Sequence, residues 1–126
     1  MKSFLLVEVP TEKNGNTVQV TQYNLDDENE VFKQWYKLIG NDCNALDRVV
    51  TSNGHIYVDD VGLYKKELTQ SLFTTVEGQL QLSGNMIIVK GQYGEDITYF
   101  DENEDGKLLS FWQRTFAEAR YFRGEK

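Results

Sequence analysis

Proline and cysteine are almost missing from this chain: Pro10 is its one proline and Cys43 its one cysteine. A single thiol forms no internal disulfide, which excludes a cystine-stapled secreted scaffold. With one proline, nearly every backbone N–H is free to enter a helix or a sheet ladder. Histidine is as scarce, His55 alone. A zinc site on Cys43 and His55 would need carboxylates as well, and no local spacing supplies them. No apolar run approaches the roughly 20 residues that cross a bilayer. The opening Ser3-Phe4-Leu5-Leu6-Val7 is cut by Glu8 before signal-peptide length, so a cytoplasmic protein without membrane contact is expected. Basic charge is in deficit, with 13 Lys and Arg against 20 Asp and Glu and a formal charge of −7. Proteins that grip duplex DNA through its phosphates carry the opposite balance, so direct nucleic-acid binding is not expected. The acidity suits plain solubility, or imitation of a polyanion in a partner's basic groove.

What is present is core. The 126 residues are 40% apolar and 13% aromatic, too hydrophobic for disorder and the right length for one domain spanning 1–126. Ser3 to Val9 reads as an apolar strand and Thr17 to Tyr23 as an alternating one, with the turn dipeptide Asn14-Gly15 between them. Val31, Phe32, Trp35, Tyr36 and Ile39 then recur at helical spacing, behind an acidic start (Asp26, Asp27, Glu28, Glu30) and before Gly40 as a stop. Leu46 to Val50 and His55 to Asp59 flank a second Asn-Gly turn, and Gly62 to Tyr64 reads as a continuation of that sheet. Leu68 to Gly78 fits a helix by its Leu68, Leu72, Phe73, Val76 spacing and a strand by its Thr and Phe content. Leu80 to Leu82, Met86 to Lys90 and Ile97 to Phe100 are further strands. The spacing of Leu108, Phe111, Trp112, Thr115, Phe116, Ala119 and Phe122 predicts a final helix over Lys107–Phe122, capped by Asp105, with Arg120 and Arg123 at its C-terminal dipole. The fold class is α+β: an antiparallel sheet of about six strands with one helix in the N-terminal half and a C-terminal amphipathic helix.

Few residues offer chemistry. Asp101-Glu102-Asn103-Glu104-Asp105-Gly106 matches the first half of a calcium loop, but position 12 is Trp112 where a bidentate Glu is required. That leaves an acidic turn and no metal site. Cys43 and His55 are one residue of each type, too little to mark a nucleophile–base pair. Asp59 and Asp60 point to opposite faces if they lie on a strand, which excludes them as an acid–base pair. No glycine-rich phosphate loop is present. A binding protein without catalytic residues or cofactor is expected. The candidate ligand site is the end of the chain. Arg114, Arg120, Tyr121, Phe122 and Arg123 combine aromatic faces with guanidinium groups, the chemistry that stacks on a base and holds a phosphate. The aromatic excess also points to a homo-oligomer, a homodimer in its simplest form.

Three stretches together resemble a family of small proteins of unassigned function common in phages, prophages and conjugative elements of Gram-positive bacteria. They are Trp35-Tyr36-Lys37-Leu38-Ile39-Gly40-Asn41, His55-Ile56-Tyr57-Val58-Asp59-Asp60-Val61-Gly62-Leu63 and Gly84-Asn85-Met86-Ile87-Ile88-Val89-Lys90-Gly91. With the opening strand, the likeness spans about residues 3 to 100. It implies a phage accessory gene and carries no catalytic residues with it. The strand-rich core before an aromatic, Arg-bearing end is also similar in outline to the anti-Thoeris sponges, which sequester nucleotide immune signals. The resulting expectation is a counter-defence protein that sequesters a nucleotide-type small molecule. The alternative partner is a host defence protein, a restriction or CRISPR nuclease blocked by an acidic nucleic-acid mimic.

Overall fold

Two apolar strands with no polar face anchor the fold. In the computed structural model, which describes residues 2–25, 27–65 and 67–123, β1 (Lys2–Glu8) buries Phe4, Leu5, Leu6 and Val7 in succession. Met86, Ile87, Ile88 and Val89 are all fully buried further along. Continuous burial of this kind requires both faces of a sheet to be covered. The elements that do so follow in order: β2 (Gln19–Asn24), α1 (Val31–Ile39), β3 (Leu46–Thr51), β4 (Gly54–Asp59), β5 (Thr69–Thr75), β6 (Gly78–Ser83), β7 (Met86–Val89), β8 (Gly91–Tyr93), β9 (Asp96–Thr98), β10 (Phe100–Asp101), α2 (Gly106–Glu118) and β11 (Arg120–Arg123).

The main sheet has six strands, in the order β10-β1-β7-β4-β3 with β2 on the other edge of β1. Every pairing is antiparallel. One face carries Phe4, Leu6, Tyr57, Ile87 and Val89, closed by Val31, Trp35 and Ile39 of α1. The opposite face carries Leu5, Val7, Ile56, Val58, Met86 and Ile88, closed by Leu109, Trp112 and Phe116 of α2. A second sheet, β11-β5-β6, lies on this α2 side, where the Phe73 and Phe116 rings meet at 4.9 Å. The α+β reading of the sequence therefore holds, with the two helices on opposite faces.

Several local readings change. The acidic start of α1 is a 3-10 turn, Glu28–Glu30, in which the Asp27 carboxylate accepts the Asn29 N–H at 2.9 Å; Asp26 lies outside the described residues. Gly62–Tyr64 is another 3-10 turn, so it does not extend the sheet. The ambiguous Leu68–Gly78 segment is the strand β5 and its turn. The stretch Ile97 to Phe100 is divided between β9 and β10.

The largest correction falls on the C-terminus. The helix expected to reach Phe122 ends at Glu118, and Ala119 turns extended at φ −66°, ψ 157°. Arg120–Arg123 then pairs antiparallel with β5, Arg120 opposite Leu72 and Arg123 opposite Thr69. A mostly exposed segment with two adjacent aromatics, of which Tyr121 turns inward, fits a sheet edge, and β5 offers one. Asp105 does not cap α2 with its side chain either. One carboxylate oxygen accepts the Asp101 N–H at 2.9 Å and the other meets Lys90 Nζ at 3.0 Å.

Candidate functional site

The break at Ala119 redistributes the residues on which a ligand site is expected. Phe111, Arg114, Thr115 and Glu118 lie at helical spacing along one stripe of α2. That stripe faces Leu72 and Thr74 of β5 and Arg120 of β11 across a groove of 360 Å³. Arg114 and Arg120 are exposed and share this groove, the first on the helix and the second on the strand. Neither has an ion pair or hydrogen bond among the described residues. Among the described residues Glu118 is the one carboxylate in the groove. The Thr115 hydroxyl is committed to the Phe111 carbonyl at 2.9 Å. The groove contains no His, Cys or Ser. It can hold an anion and an apolar ring, and it lacks a nucleophile with its base.

Alternation along β11 separates the other three residues. Tyr121 points inward against the core, its hydroxyl donating to the Phe116 carbonyl at 2.6 Å. Burial pushes its phenol well above the usual tyrosine range. Tyr121 thus ties the strand to the helix it follows, and is not placed to stack on a ligand. Phe122 is on the outer face, 44% exposed and opposite Gln70. Arg123 leaves the groove altogether. It lines a larger cleft of 650 Å³ and lies 3.9 Å from Glu12. The five expected residues are therefore divided: two in one groove, one in another, one structural and one on an open face.

The remaining candidates separate too. Cys43 precedes β3 near the Asp59 end of β4, while His55 is at the other end of that strand. Four residues of β-strand put them roughly 13 Å apart. Burial, then the Asp59 charge, raises the Cys43 thiol above its usual value, so it is not a thiolate nucleophile at neutral pH. Burial, then Arg48, lowers His55. Asp59 is buried and bound to Lys65 Nζ at 2.5 Å, while Asp60 is exposed. In the calcium-like turn, Asp101 accepts the Asn103 N–H at 2.9 Å and Asp105 is held by Lys90. Among the described residues no group of three or more His, Cys, Asp or Glu side chains could hold a metal ion. No described helix is long and apolar enough to cross a membrane.

One juxtaposition escapes sequence reasoning. Lys2 pairs with Asp101 in the β1–β10 register and its Nζ bonds Glu28 at 2.7 Å. The two acidic segments, around Glu28 and around Glu102, therefore meet at the start of β1. Only the pairing of β10 with β1, 97 positions apart at Ser3 and Phe100, brings them together.

No protein-family model, curated protein or solved structure matches the chain.

Proposed function

We propose that this protein is a non-catalytic phage or prophage accessory protein that captures a phosphate-bearing, nucleotide-type small molecule in the host cytoplasm and so blunts a nucleotide-signalling defence. The observation that carries the reading is the pair Arg114 and Arg120, two guanidinium groups without partners among the described residues, on either side of one groove. An exposed ion pair is worth only about 0–1 kcal/mol, so both guanidinium groups stay available to a ligand. Open above Phe111 and Leu72, they offer bidentate contacts for a phosphate and an apolar floor for a base. A phage origin rests on the sequence resemblance alone.

The test is direct. The protein is purified from cells with an active nucleotide-signalling defence and weighed intact by native mass spectrometry. A bound species of several hundred daltons is expected, lost in Arg114→Ala and Arg120→Ala while both variants keep the wild-type unfolding midpoint. Retention of the bound species by both variants would remove Arg114 and Arg120 from the site. The same spectrum reads the oligomeric state, for which a homodimer is the expectation.

A second reading has its own observation. The acidic segments that meet around Lys2 form one anionic end, as a mimic of nucleic acid would need in order to occupy the basic groove of a host nuclease. Charge-neutralising Glu28→Gln and Glu102→Gln together would then abolish inhibition, whereas the arginine substitutions would leave it intact.

A further inference from the structure

β5 is paired along nearly its full length on one side and along only part of it on the other. β6 matches it from Gln70–Ser83 to Thr75–Gly78, whereas β11 covers Thr69 to Leu72 and ends at the Arg120–Leu72 pair. Glu118, which a longer strand would set opposite Thr74, belongs to α2 instead. The edge of β5 beyond Leu72 is therefore open, and Phe73 and Thr74 line the 360 Å³ groove of Arg114 and Arg120.

Which backbone groups face that gap follows from the turn. Thr75 and Gly78 close the turn Val76-Glu77 and so exchange both ladder hydrogen bonds. Alternation then bonds Phe73 to Leu80 and leaves Thr74 and Gln79 a non-bonded pair. The N–H and C=O of Thr74 accordingly point away from β6, as those of Leu72 do toward Arg120. No strand stands opposite Thr74, and neither group is hydrogen-bonded to another described residue. Thr74 is the one such residue between Leu72 and the turn, so the gap is too short for an added strand. What fits a donor and an acceptor side by side is a planar group that carries the same two in reverse. Phe111 and Leu72 supply apolar walls for it. Gln79, directly across the β5–β6 ladder from Thr74, adds a side-chain amide without a partner among the described residues.

We propose that this groove selects an adenine base, carried on an adenosine monophosphate-type ligand. The Thr74 carbonyl accepts from the N6 amine, and the Thr74 N–H donates to the ring nitrogen beside it. Gln79 serves the second hydrogen of the amine. Adenine has a ring acceptor on each side of that amine, so it can use both readers at once. The volume lies at the small end of ligand pockets, roughly 300–1,000 Å³, which suits one nucleoside phosphate. The phosphate end rests on the role proposed above for Arg114 and Arg120, and the base end on the open strand edge.

AMP, its N6,N6-dimethyl analogue and ribose 5-phosphate are titrated separately into isotope-labelled full-length protein, with the Thr74 backbone amide as the readout. Saturable binding of AMP is expected, with the largest amide shift at Thr74. The other two ligands lack the amine hydrogens or the whole base and should bind roughly five- to thirtyfold more weakly. Thr74→Pro removes a donor that the ladder to β6 does not use, and should bring AMP down to the level of ribose 5-phosphate. The dimethyl analogue tests the same contact on the unaltered protein. Gln79→Leu costs AMP less, roughly two- to fivefold. Equal affinity for all three ligands, lost in Arg114→Ala, would overturn the base edge and leave the arginine groove standing. AMP binding that needs the amine hydrogens yet survives Arg114→Ala and Arg120→Ala would uphold the base edge and remove the arginines. Absence of AMP binding, or AMP shifts that bypass Thr74, would overturn the assignment.

Discussion

Gly54→Ala is the substitution that should cost this fold most for one added carbon. Gly54 opens β4 at φ +151°, a conformation that L side chains rarely adopt. A Cβ built there would lie 2.7 Å from the Val89 carbonyl oxygen and 3.2 Å from Trp112 Nε1. Neither neighbour can retreat cheaply. Val89 belongs to the central β7 and pairs with His55. Trp112 is fully buried, and its indole N–H donates to the Asn53 carbonyl at 3.1 Å, so the turn and α2 are locked to each other. The backbone strain costs about 1–3 kcal/mol. Forcing a methyl into a closed contact adds about 1–3 kcal/mol. Together they remove about 4 kcal/mol from a stability of the usual 5–15 kcal/mol, a fall in Tm of roughly 10–20 °C. Gly78→Ala is the control. Its φ is +123° but nothing lies within 4 Å of the added carbon, so only the backbone part applies. Urea unfolding followed by tryptophan fluorescence measures both variants. Equal losses in the two would refute the steric half of the argument, and a loss under about 1 kcal/mol at Gly54 would refute all of it.

Tyr121→Phe removes the hydroxyl that donates to the Phe116 carbonyl at 2.6 Å and should cost about 1–2 kcal/mol, with faster hydrogen exchange in β11 as the local signature. Burial alone would raise the Asp105 carboxyl, but the Asp101 N–H and the Lys90 ammonium outweigh it and hold the group below its ordinary 3.8. A carboxylate depressed in the folded state contributes stability that is fully present above the unfolded value and lost as pH falls through the folded one. Stability should therefore fall on acidification below about pH 4, and Asp105→Asn should flatten that limb of the urea-midpoint profile; an unchanged slope would exclude Asp105 as a contributor.

The sequence showed most where one element's own residues decide its state. Ser3 to Val9 and Met86 to Lys90 carry uninterrupted apolar runs, and their burial on both faces follows from that pattern. Val31, Trp35 and Ile39 announce α1 by spacing, and Gly40 ends it at φ +72°. The second sheet was hidden because β5 buries polar side chains. Gln70 accepts the Ser83 hydroxyl at 2.8 Å, Thr75 donates to the Gly78 carbonyl at 2.8 Å, and Thr69 reaches Pro10. Inward polar residues with internal partners erase the alternation that would reveal a strand. β11 was hidden for a related reason. Ala119 and Phe122 continue the helical period of α2 by coincidence, and what decides the matter is an open edge on β5, some 50 positions earlier in the chain. On a continued helix, Tyr121 would share a face with Arg114. On the strand it turns inward, and Arg120 takes its place beside Arg114.

Ionic strength separates the two functional readings, because the protein's charge acts on them with opposite sign. At about 0.01 M salt the Debye length is roughly 30 Å, so an approaching ligand senses most of the −7. A phosphate-bearing ligand bound for the Arg114–Arg120 groove is then repelled at long range and attracted only at contact. Raising salt to about 0.15 M shortens the screening length to about 8 Å and removes the repulsion before it removes the short-range contact. The association rate of the small anion should rise or stay level over that interval. A nucleic-acid mimic approaching a basic groove is steered by the same −7, and its association should slow steeply. Stopped-flow association at the two salt concentrations measures this. A rate for the small anion that drops steeply with salt would mean that attraction, not repulsion, governs its approach, and the two-arginine groove would then be too weak a source to explain it.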